Sequence, residues 1–128
     1  MKALPVLLLL GLSLAARADT PRQVLARLQA AAAHPASAER GDQLFHDKFS
    51  GGKTESCSTC HTADPRVAGR HARTNKAIEP LAPVANRERF SDPEKVEKWF
   101  WRNCNEVLGR ACTAQEKVDF AAYLLAQK

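Results

Sequence analysis

Cys57-Ser58-Thr59-Cys60-His61 concentrates more chemistry than any other stretch of the chain. Two thiols with two residues between them, followed at once by an imidazole, form the attachment signature of c-type haem. The thiols add across the haem vinyl groups, and the spacer on a short turn sets the sulfurs at the required separation. His61 then falls beneath the iron as its proximal ligand. A bare C-x-x-C can instead be a zinc knuckle or a redox dithiol. Zinc needs two more soft ligands in a compact set. The other cysteines, Cys104 and Cys112, lie far downstream with seven residues between them. A thioredoxin-like dithiol needs strands around it, and no strand pattern surrounds this motif.

The second axial position of the iron is the functional question. The only methionine is Met1, at the start of an expected leader, so the common His/Met pairing is excluded from a mature chain. The candidates are His34, His46, His71 and an asparagine; a lysine would first have to lose its proton. His34 precedes Pro35 in an exposed segment. His46 is one residue off the apolar face of its helix. His71 lies in a loop and is the strongest of the histidines. Val96, Trp99, Phe100 and Asn103 fall at i, i+3, i+4 and i+7, one face of a helix. An asparagine that ends such a face needs a partner for its amide. In a haem pocket the partner can be the iron; elsewhere Asn103 would cap the helix or bond to backbone. Spacing alone favours the cap slightly.

The elements that must position these groups are helices. Thr20-Pro21 is an N-cap followed by proline at the first helical position; that helix runs to about Ala33, and Pro35 ends it. A second spans about 38–49, with Gly41, Leu44, Phe45 and Phe49 inward, and Gly51-Gly52 stops it. Residues 62–90 hold Pro65, Pro80 and Pro83 and little period, a loop long enough to be functional. A third helix starts with Ser91 as cap and Pro93-Glu94 behind it. A fourth starts at Thr113, with Glu116 completing a capping box, and presents Val118, Ala121, Ala122 and Leu125. No strand pair is expected.

Met1-Lys2, the apolar run to Leu12 and Ala16-Arg17-Ala18 describe a secretory signal peptide. The run is short of the roughly 20 residues a bilayer span needs. Cleavage after Ala18 leaves residues 19–128 as one domain of 128 − 18 = 110 residues, with no stable membrane insertion. Export also suits the cysteines, since Cys104 and Cys112 can oxidise outside the cytoplasm. By analogy with other c-type haem proteins the compartment is the periplasm. The net charge of +5 includes Lys2 and Arg17, so the mature chain is near +3, and two haem propionates lower it further. Basic and acidic residues alternate without an aromatic stacking platform, which speaks against nucleic acid. Transient docking to an acidic redox partner is the better use of that charge.

Cys57-Ser58-Thr59-Cys60-His61, Glu79-Pro80-Leu81-Ala82-Pro83, Trp99-Phe100-Trp101-Arg102-Asn103-Cys104 and Gly109-Arg110-Ala111-Cys112-Thr113 together resemble the sphaeroides haem protein family. One departure is Ala85-Asn86-Arg87, where the family pattern is Ala-Asn-Pro. The resemblance implies an all-α fold, a small variant of class I cytochrome c around one covalent haem c. It implies thioether attachment at Cys57 and Cys60, His61 as proximal and Asn103 as distal ligand, Trp99 and Phe100 against the haem, and a Cys104–Cys112 disulfide. This reverses the preference for Asn103 as a cap. It also implies binding of O₂, NO or CO in the ferrous state, and electrons received from a dihaem cytochrome c and a membrane b-type cytochrome. Two other functions stay open: plain electron transfer by a permanently six-coordinate haem with His71 bound, and an enzyme that consumes NO or O₂.

Overall fold

The computed structural model describes residues 18–128. The expected leader, Ala18 apart, lies outside the described residues. Five helices and one minimal hairpin follow in order: α1 Pro21–Ala31, α2 Ala38–His46, α3 Cys57–His61, β1 Gly69–Arg70, β2 Ala77–Ile78, α4 Pro93–Leu108 and α5 Ala114–Leu125. No described helix is long and apolar enough to cross a membrane.

Local chemistry sets most boundaries. Thr20 and Gln23 close a reciprocal capping box on α1, and Thr113 and Glu116 do the same on α5. Each satisfies two amides that a helix start leaves orphaned. The start of α4 differs from expectation by one residue. Asp92, not Ser91, is its N-cap and accepts from the amides of Glu94 and Lys95. Pro93 occupies the first turn with its fixed φ, and Ser91 instead donates its hydroxyl to the Glu88 carbonyl. The helix α2 ends at His46 and stops short of Phe49. The Phe49 amide is taken by the Glu55 carbonyl at 2.7 Å, which turns the chain towards the cysteine motif. The helix α1 ends at Ala31, because the Gln29 side chain folds over to bond the His34 carbonyl and the Ala36 amide.

Two elements went unanticipated. The cysteine motif is itself a short helix, capped by the Ser56 hydroxyl on the Thr59 amide. The 62–90 loop also contains a strand pair, β1 antiparallel to β2, with Gly69 opposite Ile78 and Arg70 opposite Ala77. Strands of two residues carry no readable period.

The core lies where α1 and α2 pack on α5 and α4 closes over them. Phe45, Val24, Val118 and Leu124 are its largest fully buried side chains, joined by Val96, Phe100 and Ala121. On α5, Tyr123 and Leu124 are buried, whereas Ala122 and Leu125 are only half covered. Gly41 lets α2 approach α5 closely; a Cβ there would strike the Asp119 carbonyl. At the same crossing the buried Asp119 carboxylate accepts from Arg40 at 2.7 and 2.9 Å, from the Ser37 amide at 2.8 Å and from Gln115 at 3.0 Å. Burial pushes its pKa up, but these donors outweigh it and the net shift is downward.

A lowered folded pKa makes stability that is present above the ordinary carboxylate value and lost as pH falls through the folded value. Asp119→Ala should therefore cost about 2 kcal/mol near neutral pH, less than for a wholly buried pair because Arg40 is half-exposed. Urea unfolding at several pH values checks this. The curves of variant and wild type should converge in acid, and an equal gap at every pH would exclude the carboxylate as the cause.

Candidate haem site

One cavity of about 320 Å³ gathers the expected groups. Cys57, Cys60 and His61 of α3 line it, and so do Val96, Trp99, Phe100 and Asn103 of α4. Leu44, Ile78, Leu81 and Phe90 add apolar surface, and His71 and Arg89 come from the 62–90 segment. Such a size and an apolar lining with few convergent polar groups suit a flat, mostly apolar cofactor.

The chemistry of the donor set fits covalent haem. Cys57 and Cys60 are free thiols and the only unpaired cysteines. Burial pushes the Cys57 thiol up to about 11, so it is not poised as a redox nucleophile. Among the described residues no cluster of three or more His, Cys, Asp or Glu could hold a metal ion, which leaves a zinc knuckle without its ligands. Burial, with help from the fields of Arg89 and His71, lowers His61 to about 4. Its ring is thus neutral at physiological pH and keeps a lone pair for iron. No described residue hydrogen-bonds to that ring.

The helix α4 continues past Asn103 to Leu108, and Gly109, at φ 72°, is the C-cap. Asn103 is therefore not a cap. Its amide makes no hydrogen bond among the described residues, while the neighbouring Asn105 donates to the Trp101 carbonyl at 2.6 Å. His34 is exposed and away from the cavity. His46 is exposed, with both ring nitrogens turned to the carbonyls of Asp42 and Ala63. His71 does reach the cavity, but its Nδ1 accepts from the amides of Arg73 and Thr74, each at 3.3 Å. The proton of the neutral ring then belongs on Nε2, which becomes a donor without a lone pair for iron. Cys104 and Cys112 are joined in a disulfide with Cα atoms 5.6 Å apart. It ties the residue after Asn103 to the start of α5.

Sequence reasoning missed Arg89 and Glu106. Glu106 lies on α4 beyond Asn103. Its carbonyl accepts from the amides of Lys53 and Thr54, and its carboxylate from Thr54 and Arg73. No local pattern announces either residue, since their partners lie far away in the chain or come from backbone.

A short helical turn that presents two thiols and a neutral histidine to an apolar cavity under a second helix defines a small monohaem c-type cytochrome. Comparison with known proteins identifies the kind. A family model described as a domain of unknown function (DUF1924) matches residues 31–124. The chain is 54% identical over 110 residues to the cytochrome c-type protein SHP of Cereibacter sphaeroides, covering 84% of each. It is 44% identical over 89 residues to cytochrome c'' of Methylophilus methylotrophus, covering 68% of this chain and 62% of the other. Among solved structures it superimposes on oxidized SHP, described as an oxygen-binding cytochrome c, with a TM-score of 0.81 and 52% identity over 86% of this chain and 99% of that one. Oxidized cytochrome c'' follows with a TM-score of 0.73 and 36% identity over 84% and 94%. The chain belongs to the sphaeroides haem protein family and, like these cytochromes, carries one covalent haem c.

Three outcomes are expected. Acid–acetone should leave the haem on the polypeptide, and loss of it to the solvent would exclude thioether attachment at Cys57 and Cys60. Peptide mapping without reductant should recover Cys104 linked to Cys112, not two alkylatable thiols. Removing that link by Cys104→Ala with Cys112→Ala should lower stability by about 2.5 kcal/mol in the chain-entropy account of so short a loop, measured by denaturant unfolding.

Proposed function

We propose that the protein is an exported, periplasmic cytochrome in which His61 and Asn103 hold the iron and Asn103 gives way on reduction, so that O₂, NO or CO can bind. The observation that carries this is the Asn103 amide: it lines the same cavity as His61, has no hydrogen-bond partner among the described residues and does not end its helix. The relative SHP, described as oxygen-binding, supports the gas-binding half of the reading.

Haem supplies an iron whose ferric form is the harder ion and whose ferrous form is softer. A side-chain amide is neutral and weakly basic, so Asn103 suits the ferric ion better and leaves the ferrous ion more readily. Val96, Trp99 and Phe100 give the vacated side an apolar wall that disfavours water. Axial ligand and pocket polarity are the levers a protein has on such chemistry. His61 stays neutral and holds the opposite face. The engagement of His71 Nδ1 by the Arg73 and Thr74 amides supports this reading over permanent His/His ligation and plain electron transfer. In this reading electrons come from a dihaem cytochrome c and a membrane b-type cytochrome, and the leader directs export and is cleaved after Ala18.

Visible absorption of the holoprotein tests the ligand. Asn103→Ala should give ferric haem with water or nothing in that position, and ferrous CO binding should survive. Asn103→His should retain a strong ligand and weaken CO binding tenfold or more, about 1.4 kcal/mol per factor of ten. An unchanged low-spin ferric spectrum in Asn103→Ala would exclude Asn103 and make His71→Ala the next variant. Steady consumption of NO or O₂ with a reductant present would move the protein to the enzymes.

A further inference from the structure

Most arginines of this protein have an obvious place. Arg27, Arg40, Arg66, Arg73 and Arg110 each hold a carboxylate. Arg22, Arg70, Arg87 and Arg102 are exposed, and although Arg102, like Lys76, also lines the haem cavity, both are open to solvent. Arg89 has neither resource. It is half-buried, it lines the haem cavity, and it makes no ion pair among the described residues.

Its side chain is nevertheless held in one pose. Nε donates to the Pro80 carbonyl and Nη2 to the Glu79 carbonyl, each at 2.9 Å. The guanidinium lies over the Trp99 ring, 4.7 Å from its centroid, the arrangement in which a planar cation gains from an aromatic face. These contacts use two of the five N–H donors of the fork, and Nη1 donates to no described group. Burial pushes its pKa down, offset in part by the nearby Glu79. A half-buried cation on an apolar wall costs free energy unless a counter-charge meets it.

Haem brings such charges itself, in two propionate carboxylates. We propose that Arg89, clamped on Trp99 by the Pro80 and Glu79 carbonyls, is the counter-charge of one haem propionate and keeps that carboxylate ionised in the cavity. Arginine suits the task because its fork pairs with a carboxylate through two parallel hydrogen bonds. The inference needs the covalent haem but no ligand exchange at Asn103. The same donor edge could take an external oxyanion, so the test separates the two sources.

The measurement is the midpoint potential of the holoprotein against pH for wild type, Arg89→Gln and Arg89→Lys, with nitrite as the external probe. In Arg89→Gln at high pH, an uncompensated propionate favours ferric iron and lowers the potential. In acid that propionate takes up a proton and the gap to wild type closes, changing by as much as about 59 mV per pH unit for a one-electron couple. Arg89→Lys should restore most of the wild-type curve, and spectra should show unchanged axial ligands. A gap that is the same at every pH would mean that Arg89 acts alone and overturns the proposal. So would lost stability with no change in potential, or lost nitrite binding with an unaltered potential–pH curve. If Arg89→Gln fails to mature, wild-type protein with carbon-13-labelled propionates serves instead. Infrared titration should leave one propionate ionised below the ordinary carboxylate range of about pH 4, and protonation of both within that range overturns the assignment.

Discussion

Glu106 holds the two walls of the haem cavity in register. Its carbonyl accepts the Lys53 amide at 2.7 Å and the Thr54 amide at 3.1 Å, and its carboxylate accepts from the Thr54 hydroxyl and from Arg73. The residues it grips lead directly into Ser56, the cap of the cysteine turn. One residue of α4 therefore fixes where α3 begins. Each such bond contributes only about 1 kcal/mol net, but they act on one rigid helix and so define an angle as well as a distance. Gly51 and Gly52 make the approach possible, since a Cβ on either would run into α4 backbone near Glu106 and Leu108. The disulfide then pins the same helix to α5.

Rigidity of α4 bears on the proposed exchange at Asn103. A ligand carried on a loop can leave by backbone motion, whereas Asn103 sits inside a sixteen-residue helix braced just beyond it by the Cys104 disulfide and by Glu106. Its release would be a side-chain rotation about two bonds, with the helix unmoved. That makes the event local and reversible. It also leaves Val96, Trp99 and Phe100 in place to shape the opened side. His71, on the other wall, is held by two backbone amides in a donor tautomer, which suits a neighbour of the haem better than a replacement ligand.

What could be read from the sequence was what is encoded locally. The cysteine motif, the Thr20 cap, the Thr113–Glu116 capping box and the Val96-Trp99-Phe100-Asn103 face depend on residues within one or two turns of each other. The misjudged boundaries share a different cause. The end of α2 is decided by Glu55 and the end of α1 by a side chain that folds back from Gln29, and neither leaves a periodic trace. The Asp92 cap was missed because Ser91 satisfies the same pattern one residue earlier; Pro93 and the Glu88 carbonyl decide between them. Asn103 was ambiguous because a cap and an inward ligand can share one helical position, and the actual end of the helix at Gly109 removes the cap. Arg89 was invisible because its partners are two backbone carbonyls and an indole ring ten residues away.

The electrostatics of the cavity point in the same direction as the weak ligand. His61 is neutral and an asparagine amide is neutral, so neither proposed axial group offsets the charge of the oxidised iron. Arg89 helps burial to lower the His61 pKa, so it raises the potential felt at that wall. A cationic surrounding favours the state with one positive charge fewer, and a propionate held by Arg89 would temper that bias by placing a compensating anion in the cavity. In the proposed reading, reduction would then relieve unfavourable charge at the step that loosens Asn103. Coupling of this kind needs no moving domain. It needs a pocket with neutral ligands, a cation held in one pose, and a neutral amide that no described residue engages.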